Sequence, residues 1–294
     1  MARSLQIDRR GFLKGFSGAL LGVAFVGHSP VAAVQRSVET TEGNGWKIAL
    51  LADPHVSLRE DHAAFRANFE RVIEQVNAAE VDAVLMAGDC TTHGFAAGVE
   101  DFQEYISWLN VEKVWCTPGN HDIGNKPMPE RSSHLSDRRV EQWEEVFGRS
   151  FYETQLVPGV RLVVANSSYM GMGLEGEPAQ WAFLEEQLAR PTDDFTVFMA
   201  HYPLFVREVD EEDAYFNIEP ESRQRMLGLL KQGGVDLFVC GHTHNPRAFE
   251  HDGIPHVIAP AISFGLPHDR QPEGWTMLTI DPLGKVAHEN QMLT

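Results

Sequence analysis

Apolar residues recur along this chain in two periods, and the alternation between them predicts its elements. Short unbroken apolar runs predict buried strands at 47–51, 81–87, 111–116, 195–200 and 235–240. Between them the spacing becomes helical. Phe65, Phe69, Val72, Ile73 and Val76 fall on one face of a helix at 63–79, and Phe102, Tyr105, Ile106 and Leu109 form a stripe at 102–109. Helices are also expected at 137–147, at 178–188 with Pro178 in its first turn, and at 220–231, ending before Gly233-Gly234. Residues 151–166 hold two strand-like runs around Pro158-Gly159. After Gly241 the pattern is mostly β, at 247–251, 254–259, 275–281 and near Val286, with Asp252-Gly253 as a hairpin turn. Strands alternate with helices early and dominate late, which predicts an α/β fold of packed sheets with helices outside. The runs continue without a long break from Trp46, so one domain is expected over 46–294, behind a polar, glycine-containing linker at 34–45.

Five of the apolar runs end in a polar motif. In order these are Asp53-Pro54-His55, Gly88-Asp89, Gly119-Asn120-His121-Asp122, His201 and Gly241-His242-Thr243-His244. Ligands in α/β folds gather at the C-terminal ends of strands, so the motifs can converge there. In an extended backbone residues two apart point the same way, so Asp53 and His55 can share a face, as can His242 and His244. The glycines at 88, 119 and 241 suit tight turns. Imidazole, carboxylate and amide oxygen suit Fe, Mn, Zn, Co or Ni, and the lack of thiolates argues against a closed structural zinc site.

The order and spacing of these motifs resemble the calcineurin-like metallophosphoesterases, over roughly residues 46–261. The resemblance implies a four-layer α-β-β-α sandwich of two mixed β-sheets flanked by helices. It also implies a dinuclear centre of two divalent or trivalent transition metals and hydrolysis of phosphate esters by a metal-bridged hydroxide. Carried over position by position, Asp53, His55, Asp89 and His244 would bind the first metal. Asp89, Asn120, His201 and His242 would bind the second, with Asp89 shared through its two oxygens. His121 would assist the leaving oxygen, with Asp122 orienting its ring. The run His201-Tyr202-Pro203-Leu204-Phe205 and Tyr215-Phe216-Asn217, ahead of the helix carrying Arg223, resemble a phosphatase-like subgroup. That favours phosphomonoesters over cyclic nucleotides or other small diesters. A catalytically silent metal-binding interaction protein is the alternative from another class. Specificity is expected from loops at 126–136, 169–177 and 206–219. The last is acidic, which suits either solvation or rejection of anionic substrates, and His93 is a further candidate to face the substrate.

Charge and the N-terminus refine the picture. The formal charge is -18 over 294 residues, and the chain beyond residue 33 holds 20 basic against 41 acidic residues. Such a body repels nucleic acid, so a small phosphate ester is the expected partner. Arg9-Arg10 precedes Phe12-Leu13-Lys14, a short apolar stretch at 16–26 and Val31-Ala32-Ala33. This pattern resembles a twin-arginine signal peptide over 1–33, cut after Ala33. Its expected consequences are engagement of the twin-arginine export machinery, a periplasmic or extracellular location, and no stable membrane association after cleavage. Cys90, Cys116 and Cys240 each end an apolar strand and read as small buried side chains, without a Cys-x-x-Cys pair.

Overall fold

The computed structural model describes residues 45–94, 96–127, 135–268 and 270–293. β1 (Trp46–Leu51), α1 (Ala63–Ala79), β2 (Ala83–Met86), α2 (Ala96–Ile106) and β3 (Val114–Cys116) alternate as the pattern predicts. α3 (Asn120–Ile123), α4 (Asp137–Phe147), the β4 (Tyr152–Val157)–β5 (Val160–Val164) hairpin and α5 (Glu177–Ala189) follow. β6 (Phe195–Met199), α6 (Pro220–Gln232) and β7 (Leu237–Cys240) lead to the β8 (Arg247–His251)–β9 (Ile254–Ile258) hairpin. β10 (Gly274–Ile280) and β11 (Val286–Met292) end the series.

The strands make two mixed sheets, one ordered β11-β10-β1-β2-β3 and the other β4-β5-β6-β7-β9-β8. β1, β2 and β3 run parallel in the first, and β5, β6, β7 and β9 run parallel in the second. Strand alternation divides the apolar residues into three layers. Ile48, Leu50 and Leu85 of the first sheet face Leu162, Val197, Leu237 and Val239 of the second. On the first sheet's other face, Ala49, Leu51, Val84 and Met86 pack under Phe69, Val72, Phe102 and Trp143 of α1, α2 and α4. On the second sheet's outer face, Val163, Phe198 and Phe238 pack under Trp181, Leu184, Met226 and Leu230 of α5 and α6. The result is the expected α/β architecture of two sheets flanked by helices, in the order α-β-β-α.

Three elements differ from expectation. α2 starts at Ala96, six residues early, because its Ala-Ala-Gly-Val first turn carries no apolar stripe, and it ends at Ile106, where the backbone tightens to i+3 bonds at Trp108 and Leu109. β3 is an edge strand of three residues, because it pairs only with Val84–Met86 of β2. α3 is a single turn formed by the Asn120-His121-Asp122 motif itself, a length that periodicity does not register. The expected signal at 1–33 and linker at 34–45 lie outside the described residues, Gly45 apart, as do residues 128–134 of one proposed specificity loop. No helix among the described residues is long and apolar enough to cross a membrane.

Candidate metal centre

The chain turns sharply after β1, β2, β3, β6 and β7, and each turn delivers a polar motif to one end of the sandwich. Asp53, His55, Asp89 and His244 bring one ligand atom each within 4.8 Å of one another, as do Asp89, His201 and His242. Asn120 joins the second group, its Oδ1 3.1 Å from His201 Nε2. Every one of these side chains is buried.

The two-residue spacings converge for a different reason from the extended-strand reading, which is corrected here. Asp53, His55, Asp89, His242 and His244 all have positive φ, between 48° and 70°. Such left-handed backbone is uncommon outside glycine, least so for Asp, Asn and His, and it concentrates at functional sites. The glycines differ too. Gly88 has φ 88°, but Gly119 and Gly241 are there for close approach. A Cβ on Gly119 would collide with the Asp89 carboxylate, and one on Gly241 would lie 2.6 Å from Asp53 Oδ2.

Hydrogen bonds preset which atom each ligand offers. His201 Nδ1 lies 2.7 Å from the Ala87 carbonyl, and His244 Nδ1 lies 2.7 Å from that of Phe264. Donation there turns each Nε2 toward the centre. His242 is reversed, with Nε2 2.9 Å from the Tyr215 carbonyl, so Nδ1 faces the site. The Asn120 amide donates to Asn125 Oδ1 at 2.6 Å and to the Tyr215 hydroxyl at 3.1 Å, leaving its oxygen for the centre. Asp89, expected to be shared through its two oxygens, turns one of them toward both donor groups and commits the other to the backbone. Its Oδ1 accepts the His121 N–H at 2.8 Å, while Oδ2 lies 3.6 Å from His55 Nε2 and 3.3 Å from His201 Nε2.

Burial and paired charge set the proton inventory. Burial strips His55 and His242, whose pKa values fall well below 6.5. Burial also disfavours charge on His201, but Asp89 overrides it and lifts His201 to about 9. Against burial, Asp53 likewise raises His244. Burial disfavours charge on Asp89 as well, and the charged His201 leads the opposing interactions that hold it ionised well below the usual range. Cations entering the centre would displace such protons, as metal ligands require. Asp53 Oδ1 is buried with only a long 3.4 Å contact to His244 Nε2, and His55 Nε2 and His244 Nε2 face each other at 3.2 Å. A weakly held buried carboxylate oxygen, opposed imidazoles and no thiolate in either group fit a pair of transition metals.

His121 is half-buried beside the centre, its ring edge-on to His55 at 4.5 Å. Its Nδ1 lies 2.9 Å from the Thr92 carbonyl, leaving Nε2 for a substrate. Asp122 does not orient this ring, and that expectation is corrected. Its carboxylate accepts from the backbone of Cys90, Thr91 and Gly119 and from the Thr91 hydroxyl, at 2.8–3.1 Å. It therefore clamps the loop after β2 to the loop after β3. Burial, helped by the Asp89 charge, lifts Asp122 to about 6 against those four bonds.

Other expectations resolve less centrally. His93 is exposed near His121, the second cause, after burial, of its lowered pKa. In the acidic loop Glu211 accepts from the backbone N–H groups of Val206, Arg207 and Glu208 and from Asn217, so it shapes the loop. Cys90 and Cys240 are buried, with thiols pushed up by burial, and no cysteine belongs to either donor group among the described residues. Sequence reasoning missed Thr92, Asn125 and Phe264 and gave Tyr215 no role in the centre. Thr92 and Phe264 act through a backbone carbonyl, which any residue type supplies, so no sequence signal marks them, while Tyr215 adds its hydroxyl and stood only in the motif resembling the phosphatase-like subgroup. Phe264 also sets its ring 4.3 Å from His244 and stacks with His268 at 5.1 Å.

Residues 47–246 match the sequence profile of the calcineurin-like phosphoesterases. The chain is 33% identical over 159 residues to the serine/threonine-protein phosphatase CPPED1 of Danio rerio, an alignment covering 51% of this chain and 48% of that protein. It is 24% identical over 232 residues to a probable cyclic nucleotide phosphodiesterase of Xenorhabdus bovienii, covering 74% of this chain and 86% of the other. The chain thus spans about half the length of the first curated relatives it matches. The crystal structure of a dimetal phosphatase from Danio rerio superimposes with a TM-score of 0.58 at 13% identity, covering 85% of this chain and 96% of that one. At that identity the likeness speaks for the fold.

Proposed function

We propose that this chain, which belongs to the calcineurin-like phosphoesterase family, is an exported dinuclear metal-dependent phosphoesterase that favours phosphomonoesters. The observation that carries the reading is the pair of donor groups sharing Asp89, their imidazole nitrogens and amide oxygen already turned inward by Ala87, Phe264, Tyr215 and Asn125. Asp53, His55, Asp89 and His244 would hold one ion, and Asp89, Asn120, His201 and His242 the other. Fe, Mn, Zn, Co and Ni all suit these donors. When bound, the ions supply a water of lowered pKa and positive charge against the phosphate oxygens.

The chain's own residues supply the rest. His121 carries a proton at Nε2 toward the leaving oxygen, while the Thr92 carbonyl keeps Nδ1–H engaged and the ring oriented. Its backbone N–H anchors the second Asp89 oxygen, so the proton donor and the shared ligand move as one unit. Asp122 keeps their two loops at fixed separation.

The phosphatase name of the Danio rerio relative supports the monoester preference, as does the acidic body, which disfavours nucleic-acid strands. A small diester is the second reading, favoured by the name of the Xenorhabdus bovienii relative and its longer alignment. A matched screen of phosphomonoesters and cyclic and linear diesters against Mn, Zn, Fe, Co and Ni decides between them. Higher kcat/KM on a monoester is expected. A diester winning under the same metal promotes the second reading, and bound metal without turnover of any ester favours a silent interaction protein.

Export rests on Arg9-Arg10 ahead of Phe12-Leu13-Lys14 and the short apolar stretch. Replacing both arginines with lysine keeps the charge but loses the guanidinium forks. Uncleaved protein retained in the cytoplasm is expected. Mature protein reaching the periplasm in that variant would exclude the twin-arginine route.

A further inference from the structure

Tyr215 meets two ligands of one metal group from a loop outside the strands that carry them. Its carbonyl lies 2.9 Å from His242 Nε2, and its hydroxyl accepts the Asn120 amide at 3.1 Å. The same hydroxyl lies 3.5 Å from Asn125 Oδ1, which itself accepts from Asn120 at 2.6 Å. These contacts decide which nitrogen of His242 and which end of the Asn120 amide face the centre. Neither involves Asp53, His55 or His244.

The loop carrying Tyr215 is fastened on both sides. The Lys126 ammonium is buried, pairs with Asp213 two residues before Tyr215, and donates to the Asn217 carbonyl two residues after it at 3.0 Å. Lys126 also follows Asn125 directly. One side chain thus ties the segment that sets the Asn120 amide to the segment that sets His242. On the far side Arg223, also buried, donates to the carbonyls of Val209, Glu211 and Ile218.

We propose that Tyr215 is a positioning residue for the Asn120–His201–His242 half of the centre, and that Lys126, bridging Asp213 and Asn217, is the fastener that holds it there. The two halves then differ in how their affinity is maintained. Among the described residues the half built on Asp53, His55 and His244 takes no hydrogen bond from this loop and meets the other half through the His242 N–H that Asp53 Oδ2 accepts at 2.9 Å, whereas the other half depends on the loop directly. Outer partners of metal ligands typically change affinity by about 10–100-fold. The inference rests on the two-ion reading of the donor groups and not on the identity of any ester.

Calorimetric titration of the metal-free full chain with Mn²⁺, with elemental analysis of the loaded protein, tests it. Wild type is expected to bind two ions. Lys126→Met should weaken one by ~10-fold or more and leave the other within about twofold, and Lys126→Arg should restore it. Tyr215→Phe keeps the carbonyl and the fastener but loses the hydroxyl, so it should weaken the same ion less, and it decides the matter if Lys126→Met does not fold. Equal weakening of both ions, no change in either variant, or a single ion in wild type would overturn the proposal. Because the titration needs no substrate, a chain that hydrolyses no ester yet shows this pattern would sink the proposed function and leave the positioning role standing.

Discussion

The two halves of the centre have nearly the same chemistry and very different support. Around Asp53, His55 and His244 the props come from the sheet margin. Asp53 N–H donates to Gly88 and His55 N–H to Asp89, each at 3.0 Å, while Ser263 and Leu266 donate to the carbonyls of Asp53 and His244 at 3.1 and 2.8 Å. Around Asn120 and His242 the decisive props come from Tyr215, far along the chain on an acidic loop. His201 stands between these cases, its ring held by Ala87 at the end of β2 and its backbone by the Ser167 hydroxyl. Ligand count therefore says little about how firmly each half is held. What surrounds the ligands, and how near in the fold it originates, says more.

The largest test of that comparison removes what the halves share. Asp89→Asn should lose at least one metal and cost more than ~10³-fold in kcat, since Oδ2 faces both groups and a neutral amide cannot offset the charge of two cations. Full metal occupancy with normal turnover in that variant would remove Asp89 from its central place. The next change leaves both halves intact and takes away only the proton donor. His121→Ala should keep both metals and slow turnover by ~10²–10⁴-fold, less for substrates with very good leaving groups. Equal losses across leaving groups would mean that His121 positions phosphate instead.

A third test isolates folding from the centre, because acid weakens both at once. His256 is buried among Phe238 and Phe249, and burial lowers its pKa to about 4. The folded state resists a proton that the unfolded chain accepts near 6.5. This contribution is whole above pH 6.5, falls as pH drops from 6.5 to about 4, and levels off below. At ~1.4 kcal/mol per unit the loss is about 3 kcal/mol. His256→Phe should flatten that limb in urea titrations between pH 4 and 7, and an unchanged slope would assign the acid sensitivity elsewhere. The smallest expected effect belongs to Asp122→Asn. An amide cannot accept all four bonds, so stability should fall by ~1–3 kcal/mol. The alkaline limb of kcat against pH, where a proton donor is lost, should stay put, because Asp122 does not touch the His121 ring. A shifted limb would restore its orienting role.

What could be read from sequence divides along similar lines. The strands and helices were visible because burial imposes a period, their four-layer stacking only through the resemblance, and the ligand motifs because side-chain chemistry is written in residue type. α2 began early because Ala96-Ala97-Gly98 has no stripe to show. The Asp122 role implied by the resemblance does not hold because the one-turn helix α3 turns the His121 and Asp122 side chains to different partners. Thr92 and Phe264 hold His121 and His244 through carbonyls, which residue identity does not encode. Tyr215 reaches Asn120 across 95 positions, a distance no local pattern spans.

The positive φ at Asp53, His55, Asp89, His242 and His244 bears on anyone hoping to transplant this centre. A designer who copies the side chains onto ideal strands of another α/β scaffold copies only half of it. Each non-glycine residue held left-handed costs on the order of 1–3 kcal/mol, and five of them together rival the net stability of a small domain. The host would have to supply equally tight loop geometry, including a residue without a Cβ wherever a carboxylate stands against Gly119 or Gly241. Portability is limited by backbone shape before it is limited by ligand chemistry.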